Sequence, residues 1–216
     1  MNKHIKESIL WVLILLPYLY LATLWQQLPD KVPIHFNYEG TADGWSGKTF
    51  LLFIPAGLGA LIYFIMLVLP LIDPKKVIQQ MGTKYTALRF MLTVFFSLLS
   101  VYLLYVTKEG NMKNPSLLIA LIGILFAMLG NYFQAVRPNY FIGIRTPWTL
   151  ENEEVWKKTH YLAGRLWMVG GILLSILSFI VNSNMALVII FISMVVVMVL
   201  IPVVFSYVAF KKIKNS

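Results

Sequence analysis

The side chains of this sequence that could do chemistry gather in two short stretches. In the first, residues 26–49, His35, Asn37, Glu39 and Asp43 bring an imidazole, a carboxamide and two carboxylates close together in the chain. Such a set can hydrogen-bond a ligand, and with Asp30 it holds the donor types of a metal site. None of these residues stands at a spacing diagnostic for a metal, however, and one histidine among scattered carboxylates is ordinarily a hydrogen-bonded loop. In the second stretch, residues 137–162, Arg145, Trp148, Trp156, Thr159 and His160 combine a cation, two indoles, a hydroxyl and an imidazole. Arg145 has no obvious local acid, so its guanidinium is available for a lipid phosphate, for backbone carbonyls at a helix end or for a partner. His160 has no Ser, Asp or Glu at triad spacing, which favours a hydrogen-bonded helix-face histidine over a catalytic base. The chain contains no cysteine, which excludes disulfides, thiolate catalysis, Fe–S clusters and Cys zinc sites. It also contains no His-Glu-x-x-His, no Gly-x-Ser-x-Gly and no paired intramembrane aspartates, so neither an enzyme nor a bound cofactor or metal is expected.

Local signals indicate how these side chains must be held. Pro29 and Pro33 forbid a continuous helix, and Val32, Ile34, Phe36 and Tyr38 alternate with Pro33, His35 and Asn37, a period of two that suits a short strand. Gly40, Asp43-Gly44 and Gly47 mark turns. The expectation is a compact extended-plus-turn cap on the outer membrane surface, with Trp25 and Trp45 as interfacial anchors. In the second stretch Arg137-Pro138 ends one helix. Thr146 before Pro147 offers an N-cap with proline at the first helical position, and Thr149 is a second N-cap candidate. Glu153–Lys157 and Glu154–Lys158 form i,i+4 pairs in the favourable order. Trp156, Thr159, His160, Ala163 and Trp167 share one face of an amphipathic helix. Its charged face should meet the cytosol, and Trp148 and Trp156 should sit at headgroup depth.

Composition places both stretches in a membrane. Of 216 residues 59% are hydrophobic and 12% charged, with mean hydropathy +0.76, whereas a soluble domain has about 25% charged residues. Six stretches have the apolar character of a membrane-spanning helix, although some fall short of about 20 residues: Ile9–Trp25, Phe50–Ile72, Phe90–Val106, Ser116–Val136, Leu166–Val181 and Met185–Phe210. None contains Asp, Glu, Lys or Arg. The first lacks a cleavage signature and is expected to be a retained anchor; the fifth borrows Tyr161–Arg165, with Arg165 snorkelling to the interface. A cytoplasmic N-terminus leaves only Lys31, Lys48, Lys108 and Lys113 of the 18 Lys+Arg outside, so the inner face carries the whole net charge of +9. The fold class predicted is an all-α polytopic membrane protein with six transmembrane helices and both termini cytoplasmic. It divides into an N-terminal region 1–72, a third span with flanking loops 73–115, and a region 116–216. The basic balance is thus a statement of topology and of affinity for anionic lipid at the inner face, not of nucleic-acid binding.

Gly143-Ile144-Arg145-Thr146-Pro147-Trp148-Thr149-Leu150, followed by Trp156, Thr159-His160 and Gly164, resembles the hallmark of the SdpI family of bacterial membrane immunity proteins. Gly130-Asn131 and Pro138-Asn139 fit its upstream part. Leu28-Pro29-Asp30, Pro33-Ile34-His35-Phe36-Asn37, Gly40 and Asp43-Gly44 look like the uncharacterised DUF1648-like domain that often precedes it. The resemblance implies a bacterial plasma-membrane protein that protects the cell against a secreted, membrane-active peptide toxin. It implies, more weakly, a receptor that sequesters a cytoplasmic transcriptional repressor at the membrane. Within the motif Gly143, Pro147 and Gly164 are expected to supply backbone geometry rather than contacts. The alternative is a transporter or efflux protein, built on discontinuous helices at Pro55-Ala56-Gly57 and Pro70. It is disfavoured because the spans hold no ionisable group, and Ser97, Ser100, Asn131 and Gln134 are too few and too peripheral to define a path.

Overall fold

The computed structural model describes residues 3–215. Among them are six helices long and apolar enough to cross a membrane: His4–Leu24, Lys48–Ile72, Thr83–Glu109, Pro115–Phe133, Glu153–Ile180 and Asn184–Lys214. The elements run α1 (Lys3–Leu24), β1 (Lys31–Phe36), β2 (Ala42–Gly47), a 3-10 turn (Lys48–Leu52), α2 (Phe53–Pro55), a π turn (Ala56–Ala60), α3 (Leu61–Ile72), α4 (Val77–Gln80), α5 (Thr83–Glu109), α6 (Pro115–Phe133), α7 (Pro147–Glu151), α8 (Glu153–Ile180) and α9 (Asn184–Lys214). Large apolar residues stand exposed along these helices, among them Leu19, Phe53, Leu71, Phe179 and Val204. Water would penalise such a surface; hydrocarbon does not. The chain is a multi-pass membrane protein.

Two compact units form. One comprises the chain up to Leu69 together with Thr83–Lys113; the other comprises Pro70–Gly82 together with the chain from Asn114 onward.

In the first unit α1, α3 and α5 pack around two apolar cores. Leu10, Ile14 and Tyr63 form one, and Leu21, Leu24, Leu28, Val32, Leu51 and Leu104 form the other, beneath the hairpin. The second span is not broken at Pro55-Ala56-Gly57 or at Pro70. It passes the first as a π turn and carries Pro70 within α3, the local adjustment by which membrane helices tolerate proline. The π turn brings Gly59 so close to α5 that a Cβ there would lie 2.9 Å from Ser97 Oγ. Ser97 and Ser100, expected at the periphery, are fully buried, as is Thr93. Ser100 and Thr93 donate to the carbonyls of Phe96 and Arg89 one turn back. At the start of α1, Glu7 accepts hydrogen bonds from Arg89 and from Tyr63 Oη (2.8 Å), and the Arg89 guanidinium lies 5.4 Å over the Tyr63 ring.

In the second unit α6, α8 and α9 form an antiparallel bundle. α6 and α8 touch backbone to backbone at two levels. A Cβ on Gly130 would run into the α8 backbone at Met168, and one on Gly171 into the α6 backbone at Ala127. One turn beyond the second level Ser175 Oγ on α8 donates to Ala120 O on α6 (3.0 Å). Ile119 of α6, Leu174 of α8 and Leu187 of α9 form a core shared by the three helices, and α9 is also tied to α8 through Trp167 Nε1, which donates to Met198 O at 2.9 Å.

These contacts generate a contrast. Gly130→Val should cost about 1–3 kcal/mol by overpacking or prevent folding altogether. Gly57→Ala, whose Cβ meets nothing within 4 Å, should change stability by less than about 0.5 kcal/mol. Thermal unfolding of the purified variants in detergent measures both; equal tolerance would show that α6 and α8 do not depend on backbone contact.

Candidate functional site

The 26–49 stretch folds as an antiparallel hairpin rather than one strand and turns. β2 pairs with β1 in the register Lys31↔Gly47, Val32↔Ser46, Pro33↔Trp45, His35↔Gly44 and Phe36↔Ala42, with irregularities on either side of His35. The bulge lets Ile34 and His35 both stand exposed while Val32 and Pro33 are buried. Asn37 closes the turn: its Oδ1 accepts from the backbone N–H of Glu39 and of Thr41, each at 3.0 Å. Gly40 takes φ +86°, and its carbonyl accepts from Met112 N. With Thr107 Oγ1 donating to Pro33 O and a bridge between Thr41 and Asn111, the hairpin is fixed to the end of α5. At Gly44 a Cβ would crowd His35 Cβ, so glycine there lets β2 approach.

His35 Nδ1 and Asp43 Oδ1 meet at 2.5 Å across the strands. Asp30 instead faces Lys48, 3.4 Å away, and Lys48 also lies 5.4 Å over the Trp25 ring. Glu39 is exposed in the turn and Pro29 before the strand. Asp30 and Glu39 therefore do not join His35 and Asp43, and no group of three metal-ligating side chains occurs among the described residues. The hairpin presents a polar pair, His35–Asp43, flanked by exposed Ile34, Tyr38 and Trp45. Such a plate suits recognition of an amphipathic surface.

In the 137–162 stretch nearly every motif residue is spent on holding its neighbours. Asn139 is buried and uses its whole hydrogen-bonding capacity. Its Nδ2 donates to Arg137 O (2.8 Å) and Ile142 O (3.0 Å), and its Oδ1 accepts from Phe141 N (2.8 Å) and Ile142 N (2.7 Å). Gly143 follows at φ +107°, and any Cβ there would strike the His160 ring. Ile144 N donates to His160 Nε2 at 2.9 Å, and His160 Nδ1 lies 2.9 Å from Trp156 O. A backbone amide can only donate and a carbonyl can only accept. His160 is therefore the neutral tautomer with its proton on Nδ1, and both nitrogens are committed. The Trp156 ring stacks on it at 4.1 Å, and Phe133 meets its edge.

The Trp156 indole does not face outward into an interface. It is completely buried, and its Nε1 donates to Val136 O at 2.9 Å. Thr146 is the N-cap of α7, as expected. Thr149 is no second cap but the other half of a capping box: its Oγ1 accepts from Thr146 N at 2.9 Å while Thr146 Oγ1 accepts from Thr149 N at 3.2 Å. Asn152 caps α8, accepting from Glu154 N and Val155 N. Thr146 Oγ1 also meets Ser206 Oγ of α9 at 3.1 Å. Thr159 is buried, and its hydroxyl has no partner among the described residues. Gly164 lies against the Gly130 carbonyl, and Asn131 is exposed.

Two surfaces remain for outside contact. Arg145 is exposed; it donates to Tyr140 O at 2.7 Å, and the Tyr140 ring is itself covered by Lys75. Trp148 packs 5.0 Å from Tyr207, over which Lys211 lies. Sequence reasoning missed the Glu7–Arg89–Tyr63 cluster in the other unit, whose members stand far apart in the chain; Glu7 just ahead of the first apolar run was its only local signal. These side chains imply a test: Trp156→Phe leaves Val136 O without its donor, a cost of about 1–3 kcal/mol. Limited proteolysis should then cut residues 137–145 several-fold faster, while Trp148→Phe leaves that rate unchanged.

Comparison with known proteins matches the model of the SdpI/YfhL protein family to residues 135–206 and that of a domain of unknown function, DUF1648, to residues 12–59. The chain is 30% identical to the immunity protein SdpI of Bacillus subtilis (strain 168), over 98% of its own length and 99% of that protein. No solved structure matches it. Over nearly its full length, hairpin and motif included, the chain belongs to the SdpI family.

Proposed function

We propose that the protein is an immunity protein that protects the membrane it spans from a secreted, membrane-active peptide. The observation that carries this is full-length similarity to a relative named for that role. The physical reading agrees with it. A toxin arriving from outside meets the hairpin, a rigid plate whose His35, Asp43 and Glu39 can pair with a polar or cationic peptide and whose Ile34, Tyr38 and Trp45 can cover its apolar face. The Lys/Arg distribution supports this orientation, with the hairpin outside and α7 and the start of α8 in the cytoplasm.

A second output at the cytoplasmic face, retention of a transcriptional repressor, is supported by the surface that the motif leaves exposed, Arg145 with Trp148 on Tyr207. Transport would need an ionisable group free to bind and release, and Glu7 and Arg89 are instead committed to each other.

Three outcomes check these readings. Expression in a toxin-sensitive bacterium should restore growth in the presence of the peptide; unchanged killing by every related peptide would end the immunity reading. At equal membrane abundance Arg145→Ala and Trp148→Ala should impair protection or signalling several-fold more than Lys211→Ala, and equal effects would reduce the motif to a topological device. The absence of cysteine makes the chain its own background for labelling. In intact cells an impermeant maleimide should modify Ser46→Cys and spare Asn215→Cys, and the reverse would invert the topology.

A further inference from the structure

A groove of about 440 Å³ runs between α8 and α9, lined by Leu166, Val169, Gly170 and Leu173 on one side and Met194 and Val197 on the other. Its floor is Gly170, which has no side chain, against the Met198 thioether. The groove is apolar apart from Ser193 on α9 and Arg165, which lines it toward the charged start of α8. Arg165 is exposed, stacks 4.2 Å over the Tyr161 ring and donates to the Tyr161 hydroxyl. No carboxylate lies within ion-pair reach of it among the described residues. The lysines before it in α8 are already matched, Lys157 to Glu153 at 2.9 Å and Lys158 to Glu154 at 2.6 Å. Arg165 stands where the charged first part of α8 gives way to its apolar remainder, the depth at which a bilayer holds its headgroups.

We propose that this groove binds an anionic phospholipid, with its phosphate on Arg165 and one acyl chain along Leu166, Val169 and Leu173. Stacking on Tyr161 fixes the guanidinium in one orientation while leaving donors free for a phosphodiester, for which the planar fork is suited. From Arg165 to Leu173 the helix rises about 12 Å. A chain whose head rests on Arg165 thus stays beside the groove for most of one leaflet of a hydrocarbon core about 30 Å thick. A second copy of the chain is a poorer occupant. It would have to bring an acid to this depth, and Glu7, the acid within the described spans away from the α8 start and the end of α5, is held by Arg89. The phosphodiester is the acid that the bilayer itself supplies there.

Native mass spectrometry of the delipidated full-length protein in detergent, titrated with phosphatidylglycerol or phosphatidylcholine, tests the site. Phosphatidylglycerol should be retained about fivefold better than phosphatidylcholine, the effect of one cation at an anionic headgroup. Arg165→Gln should abolish that preference, and Lys212→Gln should leave it intact. Leu173→Trp, which fills the groove and keeps the arginine, should lower retention of both lipids several-fold. Both altered side chains are exposed, so either variant tests the site if the other fails to fold. The proposal is overturned if Arg165→Gln and Lys212→Gln weaken retention equally, since that is a diffuse field. It is also overturned if Leu173→Trp leaves retention unchanged, or if either variant instead dissociates a dimer.

Discussion

Close backbone contact between α6 and α8 is the constraint on which the motif-bearing unit depends. In hydrocarbon, apolar side chains gain little by leaving lipid for one another, so helices associate through dispersion at short range and through interhelical hydrogen bonds. Gly130, Gly164, Gly123 and Gly171 remove the side chains that would hold the axes apart, and Ser175 supplies a bond to Ala120 O across the seam. The consequence reaches the motif directly. With Gly164 seated on Gly130, the preceding turns of α8 bring Trp156 and His160 beneath the chain that leaves α6, where Val136 O and Ile144 N await them.

The hairpin-bearing unit is held by other means. Its helices share the Glu7–Arg89–Tyr63 cluster at one end and the leucine core under the hairpin at the other. Between them α5 presents Thr93, Ser97 and Ser100 as a buried polar stripe, with Gly59 in the π turn of the second span lying against Ser97. A charge pair within a span carries a desolvation cost that its own attraction must offset. Removing one partner would leave the other unpaired, which is why such a pair reads as a fixed structural tie.

What was legible in the sequence was whatever local physics decides. The six spans follow from runs of apolar residues, the Thr146 cap from its place before Pro147, and the buried face of α8 from a helical period that the structure fills with Trp156, Thr159, His160 and Ala163. Features made by pairing were hidden. β2 reads Ala-Asp-Gly-Trp-Ser-Gly, with Trp45 its one strand-favouring residue, and exists because β1 offers it a ladder. Glu7 and Arg89 lie 82 residues apart and count in sequence only as two flanking charges. Trp156 misled because tryptophan suits both an interface and a core with a carbonyl in reach. Only the position of Val136 O decides between them.

That distinction bears on where function resides in the motif. The side chains of Asn139, Thr146, Thr149, Trp156 and His160 are satisfied within the unit, mostly by backbone groups of the same connection. A residue whose bonds are all internal can transmit a partner's effect but has nothing left to offer it. Arg145 and Trp148 differ. Arg145 uses one donor on Tyr140 O and keeps the remainder of its fork exposed, and Trp148 is half-buried on Tyr207 with its indole nitrogen uncommitted among the described contacts. The closed network is therefore a rigid mount for those two side chains. Its dense use of asparagine, glycine and threonine reflects the need to fold a short connection whose backbone groups cannot all reach water.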